Sequence, residues 1–357
     1  MNISKRMILK KGSRLCVGIG LALAFTLASP PDSCAQVGLD KVGQSTMTFL
    51  KVSLSPKAAG TGNARTAVGT GAEGMFYNPA AIAGEGPSDA GTGTEDEAAR
   101  YSAFLTNTQW IADINHVGGA FTARVRGVGT FGVSMRSVNY GQIKRTELLS
   151  QSDPKGFRET GTVDVGAYAV GLTYARRITE QFSMGVMVQY GRQSLGQSGP
   201  EGGMVDNRVA KLMGNVGVKF FPGGYESFRF AMTIRNFSTG AQYEEISAQM
   251  PMVFRVGTGI DVLEVVGSGQ ESSLLLSAEF LHPNDHSERV NVGGEYTLLG
   301  GLISARAGYE FNYDLQGLSG GFGIRPEISG VQTEFSYSYS TMDVFSGVNR
   351  LSLGVSF

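Results

Sequence analysis

The chain has 357 residues, with 30 Lys and Arg against 31 Asp and Glu, and its formal net charge of −1 lacks the basic excess of a nucleic-acid binder. Two cysteines and three histidines leave little material for disulfides or metal sites. The 51 glycines are about twice the usual share, and the 41% apolar content is spread thinly rather than in blocks.

Lys5, Arg6, Lys10, Lys11 and Arg14 precede the apolar run Leu15 to Ala28 and the Pro30-Pro31 break, the order of a secretory signal peptide. Ser33-Cys34-Ala35 offers small residues at minus three and minus one, so residues 1–35 are read as the signal and Gln36 as the start of the mature chain. Pro31-Asp32-Ser33 lacks the aliphatic residue of a lipobox, so Cys34 is not read as a lipid anchor. Cleavage removes Cys16 and Cys34, which excludes disulfides and thiolate-held metals. Beyond residue 36 no stretch approaches the eighteen or so uninterrupted apolar residues of a spanning helix. Membrane insertion would therefore have to be as a barrel.

Residues 36–83 are read as a hatch, a small-residue segment able to pack inside a barrel mouth, with Asn78-Pro79 forcing a turn. Gly69, Gly71 and Gly74 spell a dinucleotide fingerprint, but no strand–helix–strand unit surrounds them, and nucleotide binding is rejected. Residues 84–100, with Glu95-Asp96-Glu97, read as a flexible acidic linker.

From residue 101 to 357, period-two alternation recurs in fourteen segments. They are 101–108, 112–125, 128–140, 161–177, 181–192, 207–221, 227–237, 250–263, 272–281, 288–299, 301–313, 317–326, 329–341 and 346–357. In 302–313, Ile303, Ala305, Ala307, Tyr309 and Phe311 alternate with Ser304, Arg306, Gly308 and Glu310. After even-numbered segments the connections are mostly tight, as at Arg126-Gly127 and Leu299-Gly300. After odd-numbered ones they are mostly long and polar. Short turns belong to the periplasmic rim of a barrel and long loops to the outer rim, which puts both termini in the periplasm. The connection 264–271 is too long for this rule and the loop 109–111 too short. Trp110 is assigned to the first outer loop as an interfacial anchor.

The fold predicted is all-β: an antiparallel up-and-down transmembrane barrel of about fourteen strands in the outer membrane of a Gram-negative-type bacterium, its lumen plugged by the N-terminal segment. The alternation lines that lumen with Arg124, Arg136, Lys219, Arg229, Arg235, Arg255, Arg306 and Arg325 facing Asp164, Glu279, Glu295, Glu310 and Glu334. Both signs are present, so pairing across the strands is the simplest use of these charges.

No catalytic constellation emerges, and neither a cofactor nor a metal is expected. His116 falls on the lumenal set, and His282 and His286 share a loop that lacks a third ligand. The chain closes on Leu351, Leu353, Val355 and Phe357 in alternation, which by resemblance to other outer-membrane proteins is the address read by barrel-assembly machinery.

Three stretches within 49–82 point to a family: Phe49-Leu50-Lys51, then Ala58-Ala59-Gly60-Thr61-Gly62, then Tyr77-Asn78-Pro79-Ala80-Ala81-Ile82. The segment resembles the PorV/PorQ family, with its FLK-like start, its R-A-A-x-M-G-x-A-like stretch and its closing N-P-A, followed by a barrel related to the long-chain fatty-acid transporter FadL. Lys57 replaces the usual Arg, Thr61 a frequent Met, and Gly69-Thr70-Gly71 an acidic pair. The resemblance implies a non-enzymatic adaptor of type IX secretion. Such an adaptor holds secreted proteins by their C-terminal signal domain and passes them to a cell-surface sortase, with loops 141–160, 193–206 and 238–249 as the binding surface. The alternative is a FadL-like transporter of hydrophobic small molecules, and the charged lumen, with no continuous apolar path, weighs against it.

Overall fold

The computed structural model describes residues 43–84, 99–148, 156–198, 205–222, 227–243, 246–267 and 271–357. The expected signal peptide, the first residues of the expected hatch and most of the expected acidic linker lie outside them.

Fourteen strands form the wall: β1 Tyr101–Gln109, β2 Asn115–Val125, β3 Gly129–Asn139, β4 Gly166–Arg177, β5 Phe182–Ser198, β6 Val205–Phe220, β7 Phe228–Phe237, β8 Val253–Asp261, β9 Ser273–Pro283, β10 Arg289–Leu298, β11 Ile303–Phe311, β12 Gln316–Ile324, β13 Val331–Met342 and β14 Phe345–Ser356. Each pairs antiparallel with the next, and β14 returns to β1 in register from Ser102↔Ser356 to Gln109↔Asn349. The sheet is thus closed, which is what lipid demands: no edge remains to leave backbone donors and acceptors unpaired.

All fourteen expected segments are strands, with shifted ends. Two shifts are large: β5 runs six residues beyond its expected end, to Ser198, and at 161–165 Phe157–Val163 pairs with Ile143–Leu148 as a separate hairpin, so that β4 starts only at Gly166. Asp164, expected on the lumenal face, is therefore exposed ahead of the strand. Loop 238–249 also holds a hairpin, Ala241–Tyr243 with Ile246–Ala248. The long connection after β8 contains a short helix, Val262–Val266. Asp261 caps its N-terminus by accepting from Leu263 and Glu264, and Gly267 ends it at φ 76°.

Alternation sorts the side chains as read. Along β11 every second residue from Ser304 to Glu310 is buried and the others are exposed. Leu105, Leu172, Leu212, Leu318 and Leu351 are each about 60% exposed on the outer face, the placement of lipid-facing residues. At one rim Phe357 exchanges both backbone hydrogen bonds with Tyr101, at 2.8 and 3.0 Å, and their rings lie 5.4 Å apart.

Residues 44–84 run through the lumen as a chain of short turns. Ser55 caps the helix Pro56–Gly60, and Asn78 caps the 3-10 turn Pro79–Ala83 by accepting from Ala80 N at 2.9 Å. Asn78 also donates to the carbonyls of Thr66 and of Val218 on β6. Met47, Leu50, Leu54, Met75 and Ile82 are buried against the inner wall.

Here the glycine excess finds a use. A Cβ on Gly308 would lie 2.0 Å from Gly62 N, and one on Gly217 would lie 1.9 Å from Asn78 Oδ1, so the wall is bare where the lumenal backbone touches it. Gly308→Val should overpack this contact by about 1–3 kcal/mol or more. The expected readout is a smaller heat-modifiable, folded-barrel fraction on a detergent gel, with Gly166→Val at the start of β4, where a Cβ meets nothing, as a control for the β-branched change.

Candidate functional site

The lumenal segment is held by charge. Lys57, Arg65, Arg306 and Arg325 interleave with Glu73, Glu295 and Glu334: Lys57 to Glu334 at 2.7 Å, Arg65 to Glu73 at 3.2 Å and to Glu295 at 3.4 Å, Arg306 to Glu295 at 2.8 Å and to Glu334 at 3.3 Å, and Arg325 to Glu334 at 3.0 Å. Three of these, Lys57, Arg65 and Glu73, belong to the segment, and the barrel contributes the other four. Burial alone would lower the Arg65 pKa, but Glu73 and Glu295 outweigh it and hold the guanidinium above its ordinary value.

A second set of contacts grips the segment by its backbone. Arg136 donates to the carbonyls of Phe49, Leu50 and Val52 at 3.1–3.3 Å, Arg350 to Ser53 O at 3.0 Å and Lys219 to Gly69 O at 3.0 Å. Thr106 donates to Leu54 O at 2.7 Å. Glu279 accepts from Thr66 N and from Arg255. Glu310 accepts from Asn63. Carbonyls freed by the absence of regular structure in the segment are thus taken up by wall donors.

Of the lumenal charges expected from alternation, Arg136, Lys219, Arg235, Arg255, Arg306, Glu279, Glu295 and Glu310 are buried inside, and Glu334 is nearly so. Arg124 is half-buried beside Gly84. Arg229 is half-buried, whereas Arg325 is exposed just past the end of β12, where it still reaches Glu334, and Asp164 is exposed ahead of β4. Arg350 was missed, although it continues the inward set Ser352, Gly354 and Ser356. Arg65 and Glu73 had no periodic signal to reveal them. Leu351 is exposed on the outer face of β14, which Leu353 and Val355 share by alternation.

The hatch-motif residues Phe49, Leu50, Ala58, Ala59, Gly60, Asn78, Pro79 and Ala80 are all buried, Gly62 touches Gly308, and Lys51 reaches Asp285 at 2.8 Å. His286 hydrogen bonds Asp285 at 3.0 Å, so the loop histidine serves this ion pair. Trp110 is not at the membrane interface: it turns inward, 6.1 Å from the His116 ring and 5.8 Å from the Arg350 guanidinium.

Between the segment and the long-loop rim lies a chamber of about 270 Å³, floored by Leu50 to Leu54, Phe76 and Tyr77 and walled by β3, β7 to β12 and β14. Beside it the β6–β7 ladder shifts register between Gly214 and Val216, and Asn236 takes the left-handed conformation at φ 58°. Asn236 N donates to Asn215 Oδ1 at 2.7 Å, which fixes the break locally.

No family model matches the chain, and no curated protein matches it in sequence. Among solved structures it is similar to the Pseudomonas putida toluene transporter TodX, with a TM-score of 0.53 at 10% identity over 85% of this chain and 96% of that one. It is also similar to a Pseudomonas aeruginosa FadL homologue, with a TM-score of 0.51 at 12% identity over 85% and 98%. At such identities the likeness is one of fold alone: a closed, fourteen-stranded antiparallel barrel. The PorV/PorQ resemblance remains a likeness of motif.

Two outcomes test the site. Glu295→Gln leaves Arg306 and Arg65 without a shared carboxylate and should destabilise the folded barrel by about 3–5 kcal/mol in urea titrations. Burial raises the Asp285 pKa, but hydrogen bonds from Lys51 and His286 outweigh it and hold the carboxyl below its ordinary 3.8. A depressed carboxylate stabilises above its unfolded value and loses that contribution as pH falls through the folded one. Asp285→Asn should therefore speed hydrogen exchange at residues 48–54 at neutral pH, whereas the unmodified chain should show that loosening only in acid below 3.8.

Proposed function

We propose that the chain is a gated outer-membrane passage for a small molecule carrying an apolar part, with residues 44–84 as its hatch. The observation that carries this reading is the chamber. Its floor is the lumenal segment itself, its size suits a small ligand, and it faces the long-loop rim, where an external ligand would enter. The likeness in fold to a toluene transporter and to a FadL homologue supports it. The register shift at Gly214 and Val216 leaves an interrupted stretch of wall next to that chamber, a place for sideways exit into lipid.

The secretion-adaptor reading has one observation in its favour, the Phe49 to Ile82 motif, here buried within the barrel. It asks for adhesive outer loops and does not need a chamber.

A staple separates the two. A Cβ on Gly257 would lie 3.5 Å from Ala67 Cβ, within disulfide range, and the chain after residue 35 has no other thiol. Ala67→Cys/Gly257→Cys, oxidised and reconstituted in liposomes, should lose solute entry and regain it on reduction. Equal entry in both states would sink the hatch. Absence of entry altogether, with secreted proteins sharing a C-terminal domain co-purifying from solubilised outer membrane, would favour the adaptor.

A further inference from the structure

The chamber is polar in a one-sided way. Six cations line it, Lys51, Arg136, Arg235, Arg255, Arg289 and Arg350, and Glu310 is the carboxylate among its lining residues. Two more carboxylates stand behind the cations, Asp285 on Lys51 and Glu279 on Arg255. Positive charge is left in excess by three.

Three of the guanidinium groups rest on ring faces instead of on carboxylates. Arg289 lies 4.1 Å from the Tyr313 centroid, Arg136 5.6 Å from Phe76 and Arg350 5.8 Å from Trp110. A ring face holds a cation without neutralising it and leaves the N–H edges free to bond. Arg136 and Arg350 also grip carbonyls of the lumenal segment, so their positions are explained by the packing.

Arg235 is not explained in that way. It is 8% exposed, it lines the chamber, and it makes no hydrogen bond or ion pair with any described residue. Its nitrogens are not sealed off but face the open space of the chamber, and five donors in a planar fork are matched by an oxyanion.

We propose that the chamber binds a small organic oxyanion, a carboxylate or phosphate carried on a body about the size of one benzene ring, with Arg235 as the residue that receives it. Phe76, Tyr77, Trp110, Tyr313, Leu54 and Leu281 supply surface for the ring. A cavity of about 150 Å³ already holds benzene, so the space here takes a ring and its headgroup and excludes long alkyl chains. The inference rests on the small-molecule reading for its biological meaning, yet binding at equilibrium is measured apart from passage.

Trp110, the one tryptophan of the chain, lines the chamber and reports on it. Its emission in the detergent-solubilised full-length barrel should change saturably with benzoate or with phenyl phosphate, the better of the two identifying the headgroup, and not with benzamide. Arg235→Gln should weaken that binding about tenfold or more. Because this cation has no partner to lose, the variant should fold as well as the parent or resist heat better, as judged by heat-modifiability. Arg289→Gln provides a second variant expected to weaken binding. Equal binding of benzamide, unchanged benzoate binding in Arg235→Gln, or no saturable response to either anion would overturn the proposal; loss of liposome passage with binding intact would overturn the hatch reading and leave this site standing.

Discussion

The structure depends on filling a lumen that side chains alone cannot fill. An eight-stranded barrel can be packed by its own inward residues, but a larger one encloses open space. Here a backbone, residues 44–84, occupies that space. A backbone threaded through a barrel brings carbonyls and amides that have left water and need partners. The wall supplies them as long cations on one strand after another, reaching past bare glycines to the carbonyls of Phe49, Leu50, Val52, Ser53 and Gly69. Arginine and glycine are thus two parts of one solution: glycine admits the chain, and arginine bonds it.

The balance of charge is uneven across the lumen. Around β10 to β13 the cations and carboxylates alternate, and the segment is tied down by pairs that are costly to break singly. Toward the long-loop rim the carboxylates thin out while arginines continue. A wall built only to secure the segment would not require the guanidinium of Arg235, which reaches into the remaining space. This asymmetry separates a rigid, paired half of the lumen from a half with unspent binding capacity.

Much of the fold was legible residue by residue. Alternation identified all fourteen strands and put Arg136, Arg255, Arg306 and Glu310 inside, because a wall with lipid on one side and a polar lumen on the other imposes period two on every strand. It failed where that constraint stops. At 161–165 the chain alternates but pairs beyond the wall with Ile143–Leu148, so Asp164 points to solvent. Trp110, in a short turn at the rim, has no period, and Arg350 beneath it draws it inward.

The sequence by itself determined the closed antiparallel barrel, the small-residue segment that enters it and the sign pattern of the inner face, since each is set by local periodicity and composition. Tertiary structure alone decided which charges are satisfied. Arg65 meets Glu295 across 230 positions of chain, Lys57 meets Glu334 across 277, and whether Arg235 has a partner depends on the path of a segment nearly two hundred residues away. Pairing is a property of distance in space, and the barrel's closure brings these distances about only once every strand is in register.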